Sequence, residues 1–168
     1  MLGKHIYGFH RVTRSDLPML EAWLKTPDVK AWWGDPAHEL ALIEEDMDNS
    51  DMVQLIGMLD GRPLAYLQHY EVHAWPQKHL EHLPRGARAI DMFVGVPSLI
   101  GKGHGTALLS MLARQLAAQG VRVLCIDPDP HNSRARAAYG RAGFVEQGVL
   151  DTPEGPAVLM FFEPPPET

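Results

Sequence analysis

The stretch Ala89 to Leu109, AIDMFVGVPSLIGKGHGTALL, decides the fold. It opens with an apolar run, Ala87 to Val96, that reads as a buried strand broken by one carboxylate, Asp91. Gly101, Gly103 and Gly105 then alternate with Lys102 and His104 before an amphipathic segment, Thr106 to Gln119. In that segment Leu108, Leu109, Leu112 and Leu116 fall on one helical face, and Gly120 stands where a helix stops. A strand, a glycine-rich turn and a helix in this order place free backbone N–H groups at the positive end of a helix dipole. That arrangement suits a pyrophosphate. The turn has neither the GxxxxGK[ST] spacing nor GxGxxG. A plain tight turn uses the same glycines, so the motif alone leaves both readings open.

Outward from the turn, the chain alternates hairpins and helices. His5 to Val12 reads as a strand, and Ser15-Asp16-Leu17-Pro18 starts a helix with Leu17, Leu20 and Leu24 on its apolar face. Thr26-Pro27 caps a second helix ending near Trp32-Trp33-Gly34, and a third runs from about Ala37 to Met47. Met52 to Leu59 and Arg62 to Tyr70 form a hairpin about Asp60-Gly61. Glu71 to Gly86 is irregular and rich in His and Pro. Beyond the central helix come a strand, Val121 to Ile126, and a helix from Ser133 to Ala142 capped by Asn132. Two final strands are expected, Phe144 to Leu150 and Pro156 to Phe162. Hairpins first and a β-α-β crossover second define an α+β class with a mixed, mostly antiparallel sheet flanked by helices. The expected organisation is one domain over 1–163 with a disordered tail over 164–168.

Composition narrows the function. The 168 residues carry a net charge of −6, 45% hydrophobic residues and a single cysteine, Cys125. An acidic balance argues against nucleic acid and is compatible with a cationic partner. No apolar run is long enough to span a bilayer, no secretory signal core is present, and a lone cysteine makes no internal disulfide. These point to a cytoplasmic chain.

The segments quoted so far resemble the GNAT acetyltransferase superfamily, and within it the aminoglycoside 6'-N-acetyltransferases. The resemblance is carried by VKAWWG (Val29 to Gly34), Ala89 to Phe93, IGKGHGT (Ile100 to Thr106), Asp127 to Asn132, YGRAGF (Tyr139 to Phe144) and TPEGPA (Thr152 to Ala157). The superfamily's turn motif is Q/R-x-x-G-x-G/A. Gly103 and Gly105 fill the small positions, while Ile100 replaces the usual Gln or Arg, as is typical of this subgroup. The resemblance implies acetyl-CoA as co-substrate, held by Phe93, Val94, Ile100, Gly101, Lys102, Gly103, His104, Gly105, Thr106, Asn132, Arg136 and Tyr139. It implies acceptor binding by Trp32, Trp33, Gln68, Tyr70, Asp91 and Asp127. Asp91 would be the base, and Tyr139 would approach the sulfur of coenzyme A and donate a proton to the departing thiolate.

Each residue also has a plainer reading. A carboxylate inside an apolar strand is costly unless paired or functional, so Asp91 is catalytic, or it faces solvent or makes a structural ion pair. Asp127 ends the inner strand, as a ligand residue or a turn residue before Pro128. Tyr139 and one of the tryptophans could be core packing. Cys125 is equally a packing residue. The family's loop here is acidic, whereas this chain has His73, Trp75, Lys78, His79, Glu81 and His82, with Arg85 and Arg88 nearby. These histidines, together with His69, lack metal-binding spacing and are expected to be solvated; no metal is expected. The function expected is acetyl transfer to a small cationic amine, foremost the 6'-amine of an aminoglycoside. Other readings are acylation of a siderophore precursor or another hydrophilic amine, peptide N-acetylation, and a non-catalytic acyl-CoA-binding module.

Overall fold

The computed structural model describes residues 4–164. All but Pro164 of the expected tail therefore lies outside the described residues. Seven strands form one mixed sheet in the order β1-β2-β3-β4-β5-β7-β6. They are β1 (Tyr7–Arg11), β2 (Met52–Leu59), β3 (Arg62–Glu71), β4 (Arg88–Val94), β5 (Leu124–Ile126), β6 (Phe144–Thr152) and β7 (Gly155–Phe162). The helices are α1 (Leu17–Leu24), α2 (Pro27–Trp33), α3 (Pro36–Asp46), α4 (His104–Ala118) and α5 (Ser133–Arg141). The chain divides into two compact units. One comprises residues up to 68 with 92–105, the other 69–91 with the residues from 106 on.

In the first unit, β1 and β2 pair antiparallel, Tyr7 opposite Leu59 and Arg11 opposite Leu55. The Asp60-Gly61 turn has φ of 50° and 80°, the left-handed pair that a two-residue hairpin needs. Leu20, Trp23, Leu24, Val29, Ile43, Ile56, Tyr66 and Phe93 form its core, with Leu17 packed at the edge. The expected caps shift. Asp16 accepts from Thr13 N at 2.8 Å instead of capping α1. The Thr26 hydroxyl donates back to Trp23 O at 2.7 Å, so it closes α1 rather than capping α2. Asp35 is the true cap of α3, accepting from His38 N at 2.9 Å. A Cβ at Gly95 would lie 2.1 Å from Trp23 Cδ2, so the indole can sit there only against glycine.

In the second unit, β4 and β5 are parallel, with Arg88 opposite Leu124 and Ala89 opposite Cys125. β5 pairs antiparallel with β7, and β7 with β6 across a bulge at Glu146/Gly148. The strand expected from Val121 begins only at Leu124 because the preceding residues finish α4. Gly120 N donates to Ala117 O at 3.0 Å and Val121 N to Leu116 O at 3.1 Å, with Gly120 at φ 100°. That is the paired bond pattern of a left-handed helix stop. Asn132 caps α5 as expected, accepting from Ala135 N at 3.2 Å.

Candidate active site

The glycine turn divides its labour. Gly101 and Gly103 have φ of 77° and 87°, a region that L side chains rarely enter. Gly105 is different: it lies in the first turn of α4, and a Cβ there would stand 3.2 Å from Val94 Cγ2. Glycine at 105 thus lets α4 start close against β4. The helix begins two residues earlier than expected, at His104. Its ring is buried, with Nδ1 2.9 Å from the Tyr7 hydroxyl and its edge against His5. Burial, then the neighbouring His5, pushes the His104 pKa down. His104 therefore offers a ligand its backbone, its ring being spent on Tyr7. Thr106 Oγ1 donates to Ala138 O at 3.2 Å, tying the first turn of α4 to α5. The unpaired N–H groups of that first turn fit a pyrophosphate, since the helix itself cannot satisfy them.

The other cofactor-binding expectations separate. Lys102 is exposed and Ile100 half-buried. The Phe93 ring is in the first unit's core, 5.0 Å from Trp33 and 5.5 Å from Tyr66, so its backbone is what it can present. Val94 is half-buried beside Gly105. Arg136 donates through Nε and Nη2 to Glu146 at 2.8 and 3.0 Å, and through Nη1 to Pro130 O at 2.8 Å. Its guanidinium is engaged, and it reaches a phosphate only by leaving Glu146.

The acidic end of the second unit follows from strand register. Val72 N donates to Ala87 O at 2.9 Å, and Gly95 N to Leu64 O at 2.8 Å, which sets Tyr70 level with Ala89. Ala89 is opposite Cys125, so Tyr70, Ala89 and Cys125 make one row across β3, β4 and β5. Two residues on from Ala89 and Cys125, Asp91 in β4 and Asp127 just past the end of β5 continue this row on the same side. Their charges are felt by every hydroxyl and thiol of this group. Burial, then Asp91 and Asp127, pushes the Tyr139 phenol well up. Burial, then Asp91, raises Tyr70, although Gln77 Nε2 donates to its hydroxyl at 2.7 Å. Burial, then Asp127 and Asp91, raises the Cys125 thiol, which leaves it a protonated packing residue and a poor nucleophile. The structure thus brings Tyr70, Asp91, Asp127 and Tyr139 together.

In the first unit, the Trp33 ring meets Tyr66 and Phe93 edge-on, while Trp32 is 43% exposed. Gln68 Oε1 accepts from the Tyr66 hydroxyl at 2.6 Å. Only Trp32 of the two tryptophans keeps a largely free aromatic face.

The expectation of solvated loop histidines fails for two of them. His69 is buried, and Arg88 Nε donates to its Nδ1 at 2.8 Å. His79 is only 5% exposed and its Nε2 donates to Asp127 Oδ2 at 2.8 Å. His73 Nε2 donates to Leu83 O at 2.7 Å. Among the described residues, no three His, Cys, Asp or Glu side chains gather at metal-binding distance. His79 is the site residue that the sequence reading missed. The segment around it, turns with Pro76 and Pro84, has no period from which a contact can be read; the one signal was a histidine-bearing segment where the family resemblance implies an acidic loop.

Comparison with known proteins agrees with this geometry. Residues 12–152 match the acetyltransferase (GNAT) domain family. The chain is 36% identical to the aminoglycoside N(6')-acetyltransferase type 1 of Klebsiella pneumoniae, over 89% of this chain and 79% of that protein. Two solved structures of aminoglycoside acetyltransferase AAC(6')-Ib superpose with TM-scores of 0.84 at 32% identity. One is in complex with paromomycin and acetyl-CoA, covering 93% of this chain and 92% of that one. The other is with coenzyme A and kanamycin, covering 93% and 94%. Matched by the family over residues 12–152 and 36% identical to a relative over most of both lengths, this chain belongs to the GNAT acetyltransferase family.

Proposed function

We propose that this chain transfers the acetyl group of acetyl-CoA to a primary amine of a small polycationic acceptor, foremost the 6'-amine of an aminoglycoside, as its relatives' names describe for them. The observation that carries the reading is the pair Asp91 and Asp127 on one sheet face, whose charges raise Tyr70, Cys125 and Tyr139 together. Two carboxylates in a half-buried setting concentrate cations and orient an ammonium. Acetyl-CoA, when bound, supplies the activated acyl carbon. Backbone N–H groups from Gly101 to Thr106 hold its pyrophosphate, with Asn132 at the cap of α5 as a further contact.

The residues then divide the proton work. Asp91 takes the proton of the acceptor ammonium, directly or through water, so that the amine can attack. Tyr139 keeps its own proton, because its phenol sits above its ordinary value of 10.0. A thiol's ordinary pKa is about 8.5, so full proton transfer from Tyr139 to a thiolate runs uphill. Tyr139 instead stabilises the departing sulfur by hydrogen bonding. Arrival of a cationic acceptor offsets the Asp91 and Asp127 charges and makes that phenol a better donor.

We place this work in a single catalytic domain in the cytoplasm, on a small-molecule amine rather than nucleic acid. Among the described residues no helix is long and apolar enough to cross a membrane. Thiol release from acetyl-CoA, followed against kanamycin, tobramycin, diamines and hydroxamate precursors, tests the reading. Saturable release with the aminoglycosides supports it. Release only with another amine moves the acceptor, and tight acetyl-CoA binding with no release by any amine leaves a binding module.

A further inference from the structure

The loop between β3 and β4 reaches the acidic group through two side chains of one short segment. Gln77 Nε2 donates to the Tyr70 hydroxyl at 2.7 Å, and His79 Nε2 to Asp127 Oδ2 at 2.8 Å. The loop is itself held at its base, where the Glu71 carboxylate accepts from the N–H groups of His73, Ala74 and Gly86 at 2.7, 3.1 and 2.8 Å. His79 is no incidental surface contact: its side chain is 5% exposed, and its Nδ1 is buried without a hydrogen-bond partner. A carboxylate can only accept, so Nε2 carries the hydrogen of this bond, and Nδ1 is left buried without a partner. Burying such an atom unpaired is unfavourable, and the Asp127 bond is the polar contact that holds the ring.

The imidazole N–H therefore stands against Asp127 where a substrate ammonium would otherwise bond. We infer that His79 is a specificity-determining residue, occupying one oxygen of Asp127 so that an acceptor must displace a hydrogen bond to place a second ammonium there. The inference rests on the reading that Asp91 and Asp127 receive acceptor amines. It follows that this chain discriminates less than an open two-carboxylate site between acceptors with one amine and those with several.

Kanamycin and the monoamine 6-amino-6-deoxyglucose, compared on wild type, His79→Ala, His79→Phe and His79→Ala/Asp127→Asn, test this. Both steady-state kinetics and calorimetric binding to the CoA-loaded protein are read. Loss of one competing hydrogen bond lowers the KM and Kd for kanamycin about fivefold in either single variant. The monoamine constants stay as they are, and Asp127→Asn in the alanine background cancels the gain. His79→Phe keeps the ring's bulk and stands in if the alanine variant does not fold. Equal shifts for both acceptors, or weaker kanamycin binding in the variants, would overturn the inference. Wild type that binds both amines but acetylates neither defeats the proposed reaction alone, because the binding ratio still reads His79.

Discussion

Asp91 is half-buried in a strand whose neighbours Ile90, Met92 and Phe93 are buried, and it acts electrostatically on Tyr70, Cys125 and Tyr139. If it is the base, Asp91→Asn removes the proton acceptor while keeping the side chain's shape. kcat then falls about 10²- to 10⁴-fold with the acetyl-CoA Kd unchanged. Stopped-time thiol assays and calorimetry separate the two quantities. A fall in acetyl-CoA affinity without a fall in kcat would make Asp91 a structural residue. For Tyr139 the argument concerns protonation. Burial and two carboxylates hold its phenol above 10.0, so it loses no proton across the neutral range. Wild type and Tyr139→Phe are therefore expected to share the shape of their kcat profiles between pH 6 and 9, differing only in height. A basic limb present in wild type and absent from Tyr139→Phe would mean that this phenol titrates during turnover.

At the scale of the element, the turn before α4 carries the fold and, by the proposed function, the cofactor contact together. Gly105 is there for contact with Val94, not for backbone freedom, since only Gly101 and Gly103 have left-handed φ. Gly105→Ala gains about 1 kcal/mol of helix propensity against a 3.2 Å contact that the helix must relieve by shifting. Thermal stability should change little while the KM for acetyl-CoA rises severalfold. Gly103→Ala, at φ 87°, should lower both stability and affinity. An unchanged KM in both variants would detach the turn from cofactor binding. The motif was legible because its glycines answer a local need of the backbone. The Asn132 cap and the hairpin about Asp60-Gly61 were legible for the same reason. What escaped reading depends on distant partners. α4 starts at His104, whose ring packs on Tyr7 and His5 far away in sequence. Val121 leaves the strand because its N–H completes the stop of α4. Arg136, expected to bind the cofactor, is engaged by Glu146 across the α5–β6 turn. His79 comes to Asp127 only through a loop without periodicity.

At the scale of the whole molecule, the loop from Glu71 to Gly86 ties stability to pH. Burial would raise the Glu71 carboxyl, but bonds from the Gly86, His73 and Ala74 N–H groups outweigh it and hold the pKa below 4.5. A depressed carboxyl contributes stability that is fully present above its ordinary value and lost as the pH falls through its folded value. Glu71→Gln should therefore lower the melting temperature at pH 7, and the difference from wild type should shrink as the pH drops below 4.5. A penalty independent of pH would show that the amide keeps the contacts and the charge contributes nothing. The acidic net charge fits the small cationic acceptor that the carboxylate pair calls for. The most direct measurement is to incubate the purified protein with acetyl-CoA and kanamycin and locate the acetyl group on the product by NMR. The account predicts kanamycin monoacetylated at the 6'-amine, with stoichiometric release of coenzyme A. Intact kanamycin after prolonged incubation with a protein that binds acetyl-CoA, or an acetyl group on any other amine, would contradict it.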